Sequence, residues 1–292
     1  MKALVIGACG LIGRELMRSL VQNGHTAVGT SRRALTPHVI ELDAANTETM
    51  QALLEAERPN WVFYSAGWSW VEECERDPLR AEFQNVDIPA SVAEMGHRLG
   101  AGFTYFSSDY VFDGQGGPYD ECAVPRPLNV YGRTKMKAEQ CLLALPGQTL
   151  IVRTTGVYGW ELQRKNFVCQ LMDRFARGEK MVVAVDQVST PTYVPDLASA
   201  CVECAERKIM GVLNLVGQDR LSRYEFAQLV CQVLDLDARM LVPRCTREMG
   251  QVASRPLQAG LINARAGQVL STTLRGVEDG LAAMKSTLIE TR

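Results

Sequence analysis

Residues 7–13 read Gly-Ala-Cys-Gly-Leu-Ile-Gly, a GxxGxxG set between the apolar run KALVIG and the amphipathic stretch LIGRELMRSLVQN. Glycines at that spacing, between a strand and a helix, leave few folds open. Gly7 permits the tight turn, Gly10 lets backbone approach a pyrophosphate, and Gly13 lets helix and strand pack closely. The N–H groups of the first helical turn, Leu11 and Ile12 included, have no partner inside the helix and offer partial positive charge to an anion. The motif predicts a dinucleotide site; its plain alternative is a structural turn.

The same alternation of apolar run and helical pattern repeats along the first half of the chain. The runs HTAVGT, HVIELD, WVFYSAG and GFTYFSSDYVF are separated by helical patterns, one starting near Asn46 and one at Asp77-Pro78 that breaks or restarts near Pro89. In the first helix Ile12, Leu16 and Leu20 share a face. Strands alternating with helices build right-handed βαβ units, so the expected class is α/β, a Rossmann-type doubly wound parallel sheet. Beyond about residue 155 the alternation loosens: MVVAV (181–185), LNLV (213–216) and RMLV (239–242) are short strand candidates, and Ser222 to Glu225 has capping-box spacing. The expected division is a dinucleotide-binding domain over 1–155 and a smaller α/β substrate lobe over 156–292, with some later segments returning to the main sheet.

Bulk properties narrow the partners. A net charge of −2 over 292 residues argues against a nucleic-acid scaffold. No apolar run approaches the ~18 residues of a membrane span, and the first residues lack a signal-peptide layout. Nine scattered cysteines suggest free thiols in a reducing compartment, hence a cytoplasmic protein. Cys201 and Cys204 form a CxxC inside a helical pattern and read as buried structural thiols. Three isolated histidines give no metal-ligand cluster, and no metal is expected.

The second strand ends in Thr30-Ser31-Arg32-Arg33, without the acid that holds a ribose 2′-OH in NAD binders. Arg32 and Arg33 suit a 2′-phosphate and favour NADP(H), unless they are solvated loop charges. Asp43 fits two readings, an acceptor for the adenine amino group or a helix-capping residue. Further on, Tyr131-Gly-Arg-Thr-Lys135 is a YxxxK whose i and i+4 side chains share a helix face. A cation beside the phenol is expected to lower its pKa toward working pH and make Tyr131 a general acid or base. SSDYVFDG (107–114) places Ser108 at a strand end, ready to hydrogen-bond a substrate oxygen, with Asp109 and Tyr110 beside it.

Together these motifs resemble the extended short-chain dehydrogenases/reductases. SSDYVFDG, PLNVYGRTK, RTTGVYG (153–159), PTYVPDLA (191–198) and Arg255-Pro256 are similar, more narrowly, to the dTDP-4-dehydrorhamnose reductase family, a branch that includes the methionine adenosyltransferase beta subunit. GTSRRA and GQDRLSRYEFA look especially like that subunit. The resemblance runs to about residue 265 and implies NADPH-dependent reduction of a keto group on a nucleotide-sugar. It implies that Ser108 polarises the ketone, Tyr131 donates the proton, and Lys135 supports both Tyr131 and the nicotinamide ribose. Ala66 and Gly67 would line the adenosine side, Asn85 would fill the helix-asparagine position, and Gln187, Pro191, Thr192 and Arg255 would meet the sugar nucleotide. Two departures put the sugar pocket in question: Gly156 stands where the reductases commonly carry tryptophan, and Ser189-Thr190 replaces a glycine before Pro-Thr. Trp68 and Trp70 either supply aromatic surface instead or pack under a loop. A dehydratase would need an Asp-Glu pair where this chain has Asp109-Tyr110, and an NAD-dependent epimerase an acid near residue 31. The rival of another class is an NADP-binding regulatory subunit without turnover, because a complete triad does not prove catalysis. A homodimer is the default oligomer.

Overall fold

Alternate residues of the first strand face opposite cores, and this decides the architecture. In the computed structural model, which describes residues 1–36 and 38–290, strand β1 (Lys2–Ile6) sends Ala3 and Val5 into one apolar layer and Leu4 and Ile6 into another. A strand buried on both faces belongs in a parallel sheet covered by helices on each side. That sheet also contains β2 (Thr26–Ser31), β3 (Val39–Glu41), β4 (Trp61–Tyr64), β5 (Gly102–Ser108), β6 (Thr149–Thr154) and β7 (Gly211–Asn214). Its order is β7-β6-β5-β4-β1-β2-β3, and all of its pairings are parallel. The order reverses between β1 and β4, which opens a crevice at the carboxyl ends of those strands.

One face is covered by α1 (Leu11–Gln22), through Leu16 and Leu20, and by α5 (Val194–Glu206). The other is covered by α2 (Thr47–Glu57), α3 (Ile88–Arg98) and α4 (Val130–Ala144), with Met50, Leu54, Val92 and Leu142 in the core. Ile12 is only half-buried, whereas Leu16 and Leu20 are completely inside. Cys201 and Cys204 lie on α5, fully buried, and burial raises both thiol pKa values. The helical stretch opening at Asp77-Pro78 does not run straight into α3. It passes through a π-turn at Phe83–Asp87, just before Pro89, which has no N–H to donate into the helix.

Strand β7 joins the sheet beside β6, two residues earlier than the LNLV run suggests. The remainder of the second half builds a third core from Tyr158, Val168, Leu171, Phe226, Val230, Leu281 and Met284. Small ladders tie it together, Leu241–Arg244 pairing in parallel with Met181–Ala184. The first of these strands begins later than RMLV predicts, because the Asp237 carboxylate accepts from the Arg239 N–H and folds residues 238–240 into a 3₁₀ turn. The capping box at Ser222 and Glu225 is present and opens α6 (Arg223–Val233). Among the described residues no helix is long and apolar enough to cross a membrane.

Candidate active site

The glycine turn spans the β1/β4 crevice. Gly7 has φ of +87°, and a Cβ there would lie 2.7 Å from the Ala66 nitrogen. A Cβ on Gly13 would fall 2.2 Å from the Gly7 carbonyl oxygen, so both positions exclude any side chain. Gly10 caps α1 in an extended conformation without a side-chain bond, leaving the first-turn N–H groups without a capping side chain. Gly7 and Ala8 both donate to the Thr30 carbonyl at 2.9 Å, which ties the turn to the end of β2. Arg32 and Arg33 come directly after, both exposed, and neither has an ion-pair partner among the described residues. Asp43 is exposed and accepts from the Ala45 N–H at 3.0 Å, while the capping residue of α2 is Asn46. A cradle that a Cβ would fill, an uncapped helix end and two uncommitted guanidinium groups fit a phosphorylated dinucleotide.

Ser108 ends β5, and Tyr131 and Lys135 lie one turn apart on α4, whose N-terminus is capped by the Asn129 side chain. The structure brings the three together. The Ser108 side chain lies close enough to Tyr131 to pull the phenol pKa down. The Lys135 ammonium sits 5.7 Å from the Tyr131 ring centre and bonds the Tyr105 hydroxyl (3.0 Å) and the Phe106 carbonyl (2.9 Å). Gly67 opens beside it, a Cβ there coming within 3.5 Å of Nζ. Burial lowers the Lys135 pKa to about 8. The Tyr131 phenol does not follow the expectation of a lowered pKa. Burial pushes it above its ordinary value, the Ser108 hydrogen bond pulls the other way, and the lysine's bonds are directed at Tyr105 and Phe106. The phenol is therefore held protonated.

Asp109, 1 % exposed, accepts from Ser108 Oγ at 3.1 Å; burial raises its carboxyl to about 6 against the pull of hydrogen bonds from Thr155 and Ser108. The Tyr110 ring meets Tyr131 edge-on at 5.6 Å, and its hydroxyl lies 3.4 Å from an Arg255 nitrogen. Arg255 also pairs with Glu72 at 2.6 Å, while its buried Nε has no hydrogen-bond partner among the described residues. Glu72, which sequence reasoning missed, comes from the first turn of the short helix Val71–Arg76 that follows β4; nothing in a lone acid near two others marks it. Gln187 bonds Thr246 and Gln251, both at 3.0 Å, some way along the second lobe. Thr192 is completely buried and its hydroxyl donates to the Thr155 and Thr190 carbonyls, so it braces the loop rather than facing outward. Gly156 has φ of +55° and sits against Pro191, a conformation that disfavours a large side chain. Trp68 packs with Cys74 and Tyr131 beneath the Arg80 guanidinium (4.7 Å), whereas Trp70 is half exposed beside Lys165.

Behind the centre, Glu139 continues the Tyr131–Lys135 stripe by another turn. Its carboxylate takes a two-pronged pair of bonds from Arg153 of β6 (3.0 and 2.6 Å) and one from Ser107 (2.5 Å). Both partners of the ion pair are 4 % exposed. Its signal was available in the 3.6-residue period, since positions 131, 135 and 139 share a face, but its partner on β6 was not.

Comparison with known proteins gives the family. The model of the RmlD substrate binding domain family matches residues 1–289. A dTDP-4-dehydrorhamnose reductase of Aggregatibacter actinomycetemcomitans is 32 % identical over 77 % of this chain and 76 % of its own. The methionine adenosyltransferase 2 subunit beta of Xenopus laevis is 29 % identical over 85 % of this chain and 77 % of its own. Among solved structures, the dTDP-4-dehydrorhamnose reductase of Bacillus anthracis in complex with NADP superposes with a TM-score of 0.89 at 26 % identity, covering 99 % of both chains. The chain belongs to the RmlD family of dTDP-4-dehydrorhamnose reductases.

Proposed function

We propose that this protein, an NAD(P)(H)-dependent ketoreductase of the dTDP-4-dehydrorhamnose reductase type acting on a nucleotide-sugar, uses Tyr131 as its proton donor, with Ser108 and Lys135 as partners. Residues 1–155 serve the dinucleotide and 156–292 mainly the substrate. Gly7, Gly10, Leu11, Ile12 and Gly13 receive the pyrophosphate, Ala66 and Gly67 flank the adenosine side, and Arg32 and Arg33 select the 2′-phosphate of NADP(H). When bound, the nicotinamide supplies a hydride for the carbonyl carbon. Ser108 donates a hydrogen bond to the carbonyl oxygen and polarises it. The Tyr131 O–H bond breaks as that oxygen takes the proton, so the ketone becomes an alcohol. The ammonium of Lys135 offsets the phenolate left behind. Asp109, Tyr110, Gln187 and Arg255 belong to the sugar-nucleotide side, where the unpartnered Arg255 Nε suits an anionic ligand. The thiol-rich composition supports a cytoplasmic setting, and a homodimer is the default assembly.

The observation that carries this reading is the gathering of Ser108 at the end of β5 and Tyr131 on α4 around the buried Lys135 ammonium, 5.7 Å from the Tyr131 ring and beside Gly67. NADPH oxidation with a panel of 4-keto nucleotide-sugars tests it. Turnover is expected, and Tyr131→Phe is expected to lower kcat by at least about 10²-fold while NADPH binding is kept. Turnover that survives Tyr131→Phe sinks the assignment. The likeness to the methionine adenosyltransferase beta subunit supports a second reading, an NADP-binding regulatory subunit. Tight NADPH binding with no turnover across the panel, together with co-purification of a partner enzyme, decides for that reading.

A further inference from the structure

Tyr105 is wholly buried in β5, its ring stacked on Tyr64 at 6.3 Å. Its hydroxyl accepts from the Lys135 ammonium at 3.0 Å and donates to the Asn85 carbonyl at 2.8 Å. That carbonyl is available for a simple reason. Asn85 lies in the π-turn, and the residue four further on, whose N–H an α-helix would aim at it, is Pro89. The Asn85 side chain is engaged elsewhere, holding both backbone groups of Trp68 and the Thr134 hydroxyl. One asparagine thus fixes the loop below the cleft with its amide and the Tyr105 hydroxyl with its carbonyl.

An ammonium has three N–H donors. Two are taken inside the protein, by Tyr105 and by the Phe106 carbonyl, which leaves the third for the side where Gly67 opens. We infer that Tyr105 is a positioning residue of the reaction centre: its hydroxyl, braced on the Asn85 carbonyl, holds the Lys135 ammonium beneath Tyr131 and aims its remaining donor at the dinucleotide cleft. The inference rests on the proposed role of Lys135 as the cation behind Tyr131.

Among the described residues, four ionisable groups face Lys135: Tyr131 and Glu139 on its own helix, Tyr105 on β5, and Cys74 on the segment Val71–Arg76. Glu139 is already neutralised by Arg153. An acceptor bonded to the ammonium favours the charged form, opposing the burial that lowers its pKa to about 8. Without that acceptor the lysine loses its proton at lower pH.

The test is the pH profile of kcat for NADPH-dependent turnover in wild type, Tyr105→Phe and Tyr131→Phe, with thermal melts of each. Tyr105→Phe keeps the ring and its packing. Its alkaline limb is expected to move down by about one pH unit, so that kcat falls roughly eightfold at pH 8.5 and less than twofold at pH 6.5. KM for the sugar should stay within about twofold. A merely structural role would lower stability and leave the limb in place. An unmoved limb in Tyr105→Phe, with Tyr131→Phe inactive, overturns the positioning role alone. A fully active Tyr131→Phe removes the reading beneath it instead. If Tyr105→Phe does not fold, 3-fluorotyrosine at position 105 carries the test. Its hydroxyl is a weaker acceptor, so a downward limb supports the inference and an unchanged one overturns it.

Discussion

At the scale of single residues, the proposed choice of NADPH over NADH rests on Arg32 and Arg33. Both are exposed at the end of β2, and neither is paired with a carboxylate among the described residues, so no internal ion pair must break before they meet a phosphate. A guanidinium recognises phosphate with parallel charge-assisted bonds, and NADH has no 2′-phosphate to offer. Replacing both with alanine is expected to weaken NADPH at least about tenfold and NADH less than threefold in fluorescence titrations. Equal losses for the two nucleotides would show that neither arginine reads the 2′-phosphate. These positions were legible because a missing acid and an added base are visible in any string of letters. The raised pKa of Tyr131 was not, because burial is a property of what surrounds a residue and not of its neighbours in sequence.

Among the elements, α4 carries the proposed proton donor, its lysine and their support on one stripe. Tyr131 and Lys135 face the cleft end of the sheet, and Glu139 anchors the same helix to β5 and β6 through Ser107 and Arg153. Removing one charge of a buried pair strands the other, which costs about 3–5 kcal/mol, whereas replacing both with apolar groups of similar size is close to neutral. Glu139→Gln is therefore expected to lower stability by an amount of that order in denaturant melts. The double variant Glu139→Leu/Arg153→Met should recover most of it. A Glu139→Gln protein as stable as wild type would mean that the pair is not holding the helix. The YxxxK spacing exposes half of this arrangement to a reader of the sequence. The other half comes from a strand 14 residues beyond Glu139, in register with Ser107, and only sheet pairing puts it there.

For the whole molecule, segments from both halves of the chain meet around the proposed site. Glu72 of the short helix Val71–Arg76 bonds Arg255 and the Val252 N–H, Asn129 reaches the Ser254 carbonyl, and Gln163 reaches the Cys9 carbonyl in the glycine turn. A ligand seated between such walls binds the folded state alone and stabilises it by mass action. NADPH at a hundred times its Kd is expected to add about 2.7 kcal/mol, seen as a rise in Tm on the order of 5 °C, with a smaller rise for NADH at equal concentration. No rise at any NADPH concentration would contradict the cofactor assignment.

What the amino-acid sequence determined by itself was local or periodic. The glycine turn depends on backbone freedom within seven residues, the parallel sheet on apolar alternation, and the capping box at Ser222 on a three-residue spacing. The convergence of Ser108 with Tyr131 was anticipated because both motifs are short and chemically distinctive. Only the tertiary structure decided which groups surround them. Tyr105 beneath Lys135, Arg153 behind Glu139, Glu72 against Arg255 and the inward turn of Thr192 each join residues far apart in the chain. Such meetings arise from strand order and helix packing, which gather distant side chains into one low-dielectric space, and no spacing within a segment encodes them.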